Sequence, residues 1–594
     1  MARLSIPAAP AKESIVYTDL TGVDLSSDPR NISANRASEC VNMYKTYSDG
    51  VSSFIETRPG LETVAELPEA VHAIYSLDGK KIAHAGTNLY LLNAENTVIR
   101  ENMNDNESVG FIHDNKLYIL DGVNYVVFNG ETVSDVVGYI PTTVTAKAPS
   151  GGGTKYQAVN LLSEYRRNSF RGDGSSKEYM LDAQNIASVE EVTVDDMVLA
   201  ASTYAVDLAN GTVTFTTAPT MASSGSDNVI ITYRRSVTGY ADRVKNCSLA
   251  KLFDNRVFIS GNSDYPEYIF HSELNDPTYF SDTSYYRDGD SDNPVMGIEV
   301  QNNALVVIKK GGAGAHTIFK HTPATDYELG QVYPTEESVI TVGCEAKNSL
   351  ISFRDDLVFM GNDGLNGITY TSSASSDRYI KHRSTLVDRA LMAHDLRTAM
   401  LCEWKEYLLI LINGEIYLAD SRSRYSSAGS YEYEWFYWNG FDGASCMLQI
   451  EDILYFGFDD GKICSLTGLT DNGADIYSCW VSRAEIGGAI SCYKTVKEKG
   501  AICVLKTIPN SNVEVYVETD ISSWHRINTF RMGGFNFSDF NFASLSFGTE
   551  SDNYGLLSIN EKKWKKIRLK FSSNKRFGLG TVAYLITIGN YIKE

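Results

Sequence analysis

Nowhere does this chain carry the run of about 18 apolar residues that a membrane-crossing helix needs. It is also poor in proline, 14 in 594 residues, which argues against long disordered linkers. Its nine cysteines are an odd number and scattered, with no Cys-x-x-Cys pair and no histidine at metal-site spacing. Free, buried thiols in a reducing compartment are the expectation. The opening Met-Ala-Arg-Leu-Ser-Ile-Pro has no apolar stretch of the secretory type, so synthesis in a cytosol is expected. Catalytic signatures are missing too. There is no Gly-x-Ser-x-Gly elbow, no phosphate-binding Gly-x-x-x-x-Gly-Lys-Ser/Thr and no His-Glu-x-x-His. Cationic excess is lacking as well. The formal charge of −21 disfavours a protein that grips nucleic-acid phosphate or anionic membrane.

What the chain does have is a recurring phrase: an apolar strand, a polar pair, a second apolar strand. The polar pairs are Asp78-Gly79, Asp114-Asn115, Asp254-Asn255, Asn302-Asn303, Asp355-Asp356, Lys405-Glu406 and Glu451-Asp452. Each copy reads as a β-hairpin, because Asp, Asn and Gly tolerate the tight turn and the flanks are β-branched or aromatic. From Asp254 onward the turns at Asn302, Asp355, Lys405 and Glu451 follow at steps of 46 to 53 residues. About 40 to 50 residues is the spacing of a four-stranded propeller blade. The fold class expected is therefore all-β: a β-propeller of six to eight blades. The 36 tyrosines and 24 phenylalanines suit sheets and broad interfaces.

Four regions follow. Residues 1–65, irregular and polar, read as an extended N-terminal arm. Residues 66–150 and 238–475 carry the blades. Ala148-Pro149-Ser150-Gly151-Gly152-Gly153 reads as a boundary, and 151–237, with short alternating strands, as an inserted β-sandwich in a propeller loop. Residues 476–594 read as a C-terminal β-rich sandwich, with strands expected at Ala501–Leu505, Val513–Val517, Phe535–Phe542 and Lys566–Phe571. The Ser384–Met392 stretch is expected to be the one real helix, capped by Ser384 or Thr385.

Several features bear on chemistry. Gly311-Gly312-Ala313-Gly314 lies between strand-like runs and reads as a loop rather than a phosphate cradle. His316 and His321 are the closest histidine pair. The acid pairs Asp195-Asp196, Asp355-Asp356 and Asp459-Asp460 suit hairpin turns facing water; glycosidase work would need two acids aimed at one cleft. Arg171-Gly172-Asp173 spells an adhesion tripeptide but is also ordinary turn chemistry. Lys562-Lys563-Trp564-Lys565-Lys566 is the main basic cluster and suits an edge that resists strand-to-strand aggregation. No catalytic, cofactor or metal site is expected, and the chain does not read as an enzyme.

Leu20-Thr21-Gly22-Val23-Asp24-Leu25, then Glu39-Cys40-Val41-Asn42-Met43-Tyr44-Lys45, then Phe54-Ile55-Glu56-Thr57-Arg58-Pro59-Gly60-Leu61 resembles the opening of tail-nozzle, or packaged-DNA-stabilisation, proteins of short-tailed bacteriophages. The Asn-Met-Tyr followed by Arg-Pro-Gly-Leu is the most specific part. The resemblance implies a subunit of a ring, commonly sixfold, below a portal and adaptor ring and beside other tail proteins. Such a ring forms a virion tail tube, assembled in the bacterial host cytoplasm, that retains the genome and through which double-stranded DNA passes transiently. It implies no cofactor, and it makes Asn42, Met43, Tyr44, Arg58, Pro59 and Gly60 the candidate assembly arm. A receptor- or glycan-binding tail component is the competing reading. Its candidate surface is Trp435 within Tyr431-Glu432-Tyr433-Glu434-Trp435-Phe436-Tyr437-Trp438.

Overall fold

The computed structural model describes residues 11–48, 51–327, 330–340, 342–354, 356–370, 378–427, 430–506, 508, 511–531 and 552–592. The Phe535–Phe542 run and Asp355 lie outside these. The chain divides into two compact units, one of residues 75–344 and one of residues 1–74 with 345–594.

The fold class is all-β, with propeller blades, an inserted β-sandwich and a C-terminal β-sandwich. Among the described residues, six separate four-stranded antiparallel blades occur, and a seventh set of four strands runs on into a nine-stranded sheet. Five of the hairpin phrases are tight turns with two successive positive φ angles. Asp78-Gly79, Asp114-Asn115, Asp254-Asn255, Asn302-Asn303 and Lys405-Glu406 all have φ between 45° and 75°. That geometry matches the strand twist, and Asp, Asn and Gly reach it at low cost.

In the unit of residues 75–344, consecutive blades bury their faces against each other. Leu77, Ile82 and Leu89 meet Leu117, Ile119 and Val126. Phe111, Tyr118 and Tyr125 meet Val257, Ile259 and Phe270. Leu249, Phe258 and Ile269 meet Leu305, Val307 and Phe319. A blade covered on both sides has no polar face, so the strand Ala304–Lys309 is buried at every position. Each such Leu, Ile or Val contributes about 1.5–3 kcal/mol by leaving water.

The inserted sandwich sets a six-stranded sheet against a three-stranded one. Phe170, Val192 and Ile231 of the first face Tyr179, Val213 and Phe215 of the second. Its first strand, Thr142–Lys147, begins before the expected boundary at 151. The Pro149-Ser150-Gly151-Gly152-Gly153 stretch is no linker. It turns the chain between Thr142–Lys147 and Thr154–Lys155, with φ of 125°, 72° and 96° at the three glycines. A linker and a tight turn draw on the same residues, which is why composition placed the boundary late.

In the other unit, Phe353, Val358 and Met360 of one blade pack on Leu408, Ile410 and Ile412 of the next. Leu409 and Leu411 pack on Leu454 and Phe456 of the one after. That last blade is completed by Gly60–Glu66, which pairs antiparallel with Lys462–Gly468. The N-terminal segment is therefore not an extended arm. Lys12–Tyr17 pairs with Gly578–Tyr591, Ala37–Val41 with Ser478–Ser482, and the hairpin Met43–Ser48/Val51–Thr57 joins the same seven-stranded sheet as Gly578–Tyr591. The C-terminal sandwich is built from both chain ends around Trp480, Val515, Phe571, Leu505 and Tyr584. Helix is sparse: Asp388–Leu391 is a short turn of helix begun at Val387, and Tyr240–Lys245 is a second helix that periodicity did not flag. Ser384 caps neither. Its hydroxyl donates to Asp388 Oδ1 at 2.7 Å and accepts from the Leu365 amide at 2.9 Å.

Candidate functional site

The six residues of the expected assembly arm converge on one buried clamp. Asn42 sits at φ +55°, a conformation asparagine tolerates better than most residues. Its side chain donates to Asn439 Oδ1 at 2.7 Å and to the Tyr477 carbonyl at 2.9 Å. Its own Oδ1 accepts from Arg58 Nε at 3.0 Å and from the Asn439 amide at 2.9 Å. Arg58, 1% exposed, grips Asp471 with both terminal nitrogens at 2.9 and 2.7 Å. It also donates to the carbonyls of Pro59 and Asn439, both at 3.0 Å, and lies over the Phe441 ring. All five of its N–H donors are thus engaged, directed by a planar fork that lysine could not imitate. Pro59 sets the chain into Gly60, where a Cβ would stand 2.1 Å from the Thr470 carbonyl oxygen. Met43 is fully buried, and its carbonyl accepts from Trp438 Nε1 at 3.1 Å. Tyr44 meets Trp438 edge-on at 5.4 Å, with Trp404 and Tyr407 beyond; burial pushes its hydroxyl up to about 12. The clamp ties the N-terminal segment to the last blade and to the C-terminal sandwich. These side chains are engaged within the chain.

Beside it, the segment Asp471–Tyr477 leads to an open groove of about 590 Å³ on the outer face of the C-terminal sandwich. Its floor is a cross-strand pattern: Glu514 faces Ser572 and Tyr516 faces Lys570. Tyr477 and Trp524 flank it, with Asp475, Asn512, Asn574 and Lys575 at its edge. Sequence reading missed this site, because its residues are spread over 100 positions and share no motif.

The other candidates resolve locally. Trp435, Phe436 and Trp438 are buried, so the aromatic strand offers no binding surface. Trp435 faces the preceding blade instead. Asp195 and Asp196 form a hairpin turn at φ 47° and 60°, while Asp460 pairs with Lys462. Asp356 is buried against Arg383 at 2.7 Å. Gly311–Gly314 lies in a loop between Ala304–Lys309 and His316–His321. His321 is buried, bonded to Asp288 at 2.8 Å, whereas His316 lies at the surface near Glu337. Arg171 is held by Asp227 at 3.3 Å. Asp173 accepts from the Ser176 hydroxyl and from the Ser175 and Ser176 amides, which lowers its pKa. That is turn chemistry. In the basic run Trp564 is buried, while Lys562, Lys563, Lys565 and Lys566 are exposed. Ser384, His382 and Asp388 have the composition of a catalytic triad but not its geometry. One ring nitrogen, Nε2, faces both the aspartate at 2.8 Å and the serine at 3.4 Å, and Ser384 is buried.

Of the nine cysteines, seven are buried and two partly so. Burial pushes Cys446, Cys479 and Cys503 up to about 12. Among the described residues no group of three or more His, Cys, Asp or Glu is placed to hold a metal ion, and no helix is long and apolar enough to cross a membrane.

No family model matches the chain, and no curated protein matches it. Among solved structures it is similar to BamB from Moraxella catarrhalis at 11% identity and a TM-score of 0.32, over 68% of this chain and 97% of that one. It is similar to a glycoside hydrolase family 43 arabinoxylan arabinofuranohydrolase from Bacillus subtilis at 8% identity and a TM-score of 0.22, over 89% and 99%. An exo-beta-1,3-galactanase from Phanerochaete chrysosporium matches at 9% identity and a TM-score of 0.21, over 57% and 95%. Superpositions this loose carry no argument about what this chain does.

Proposed function

We propose that this chain is a non-enzymatic structural subunit of a bacteriophage tail nozzle. It assembles with copies of itself into a ring below a portal and adaptor, retains the packaged genome and conducts it during ejection. The observation that carries the reading is the clamp. What supports it is where the Asn-Met-Tyr and Arg-Pro-Gly-Leu motifs that resemble the nozzle family lie. They converge, through Arg58 and Asn42, on one buried junction that fastens three parts of the chain together. A conduit under internal DNA pressure needs a body that does not come apart, and that junction supplies it.

Charge supports the same reading. DNA carries about one negative charge per 1.7 Å of helix. A subunit at −21 repels it over the roughly 8–10 Å that physiological salt allows, so DNA slides without sticking. The test is imaging of particles made with and without the protein. Particles lacking it will leak DNA or end short of the distal tail. Full particles with complete tails in its absence would remove the role.

A further inference from the structure

The groove on the C-terminal sandwich has no part in the conduit reading, and its chemistry is specific. We infer that it is a binding site for a neutral saccharide. A pyranose presents a flat apolar face of C–H groups and a rim of hydroxyls, each both donor and acceptor. The groove offers the complement. Tyr477 is 42% exposed although it is aromatic, and Tyr516 and Trp524 are half-buried, so three rings stand at the wall and floor. These rings are held in place. Lys570 lies over Tyr477 at 5.5 Å and Arg568 over Trp524 at 5.2 Å, while Tyr516 donates to Glu514 Oε2 at 2.7 Å. Rings ordered before binding lose little entropy when a ligand arrives.

Charge selects the ligand class. The lining carries two carboxylates, Asp475 and Glu514, and two ammonium groups, Lys570 and Lys575, so it is balanced. Asp475 is paired with Lys575 at 2.6 Å and Glu514 with Arg526 at 2.6 Å. An anionic ligand would meet both carboxylates and would have to compete for Lys575, leaving Lys570 over Tyr477 as its one lining ammonium outside these pairs; a neutral polyol bonds to the pairs as they stand. The volume, about 590 Å³, lies in the range of small-molecule sites, roughly 300–1,000 Å³. Asn512, Ser572 and Asn574 add amide and hydroxyl partners.

The test uses the full chain on an array of neutral oligosaccharides (α- and β-linked gluco-, galacto- and manno-oligosaccharides) with sialylated and sulfated glycans alongside. Hits are followed by saturation-transfer NMR and titration. At least one neutral oligosaccharide is expected to bind, with its ring protons saturated. Tyr477→Ala and Trp524→Ala should each weaken binding tenfold or more with the far-UV spectrum unchanged, and Trp524→Phe less than Trp524→Ala. Tyr477 is exposed, so its replacement keeps the test open if the Trp524 variant fails to fold. Binding to acidic glycans alone, neutral binding indifferent to both variants, no binding on the array, or a groove covered by a second copy in solution would each overturn the assignment. The glycan-binding outcomes leave the nozzle reading untouched, whereas a second copy over the groove would sink the saccharide site and support self-assembly.

Discussion

Replacing Arg58 by alanine removes the hub of the junction between the N-terminal segment, the last blade and the C-terminal sandwich. The side chain is 1% exposed, and its loss leaves Asp471, whose side chain is 24% exposed, with only the Leu61 amide, removes one of the two donors to Asn42 Oδ1, and removes the side-chain donors to the carbonyls of Pro59 and Asn439. Breaking a buried ion pair by deleting one partner costs about 3–5 kcal/mol. Asp471 keeps some contact with water, so the lower end applies, about 3 kcal/mol. The unit holding the junction has about 320 residues. At about 2.1 cal/mol/K per residue its unfolding entropy is about 0.7 kcal/mol/K, so its transition should fall by about 4 °C. Differential scanning calorimetry with a scan-rate check measures this. Hydrogen exchange should show the loss spreading to Ala37–Val41 and Ser478–Ser482, which the junction anchors. Arg58→Lys should recover little, because one ammonium cannot hold Asp471 with two bonds and still reach Asn42. Arg30→Ala, which breaks the exposed Arg30–Asp28 pair, is the control and should leave the transition where it was. An Arg58→Ala transition that coincides with that control would refute the junction as a structural hub.

Gly60→Ala forces a Cβ to within 2.1 Å of a backbone oxygen and should cost about 1–3 kcal/mol by urea unfolding, an unchanged midpoint counting against the close approach. Trp435→Ala should destabilise by about 3–5 kcal/mol, since Trp435 fills an inter-blade core, and should leave any saccharide binding intact. Residues 142–234 expressed alone should give a cooperatively unfolding domain, while 151–237, which lacks the strand Thr142–Lys147, should not; equal behaviour of the two would restore the later boundary. Burial opposes the His382 imidazolium, but its hydrogen bonds to Asp388 outweigh that and raise its pKa. The stability this pair gives is complete below the ordinary histidine value, about 6.5, and is lost as pH rises through the raised folded value. The gap between wild type and His382→Gln should therefore narrow from pH 6 toward alkaline pH, and a gap that widens would reverse the sign.

The blades were legible because their turns are local chemistry. A turn with two positive φ angles leaves its mark as Asp-Gly, Asp-Asn or Asn-Asn between apolar runs, and the spacing of those marks sets the repeat. Lys405-Glu406 adopts the same turn with residues that do not favour it, and only the flanking Trp404 and Tyr407–Ile412 gave it away. Long-range pairing left no such mark. Nothing within residues 12–17 says that they will lie beside 582–587, so the N-terminal segment read as an arm. The Tyr431–Trp438 run holds nothing but aromatic and acidic residues. Whether its tryptophans face water depends on a neighbouring blade that sequence does not position. The groove was illegible for the same reason: Tyr477, Tyr516, Trp524 and Lys570 become neighbours only after three strands have paired.

We propose that this chain is a ring-forming wall of a DNA conduit. Cryo-electron microscopy of genome-filled particles that contain it tests that most directly. The expected result is a symmetric ring of this subunit under the portal and adaptor, its lumen lined by acidic residues and wide enough for duplex DNA. Density for the chain at a fibre tip, or as isolated copies away from the tail axis, would contradict it.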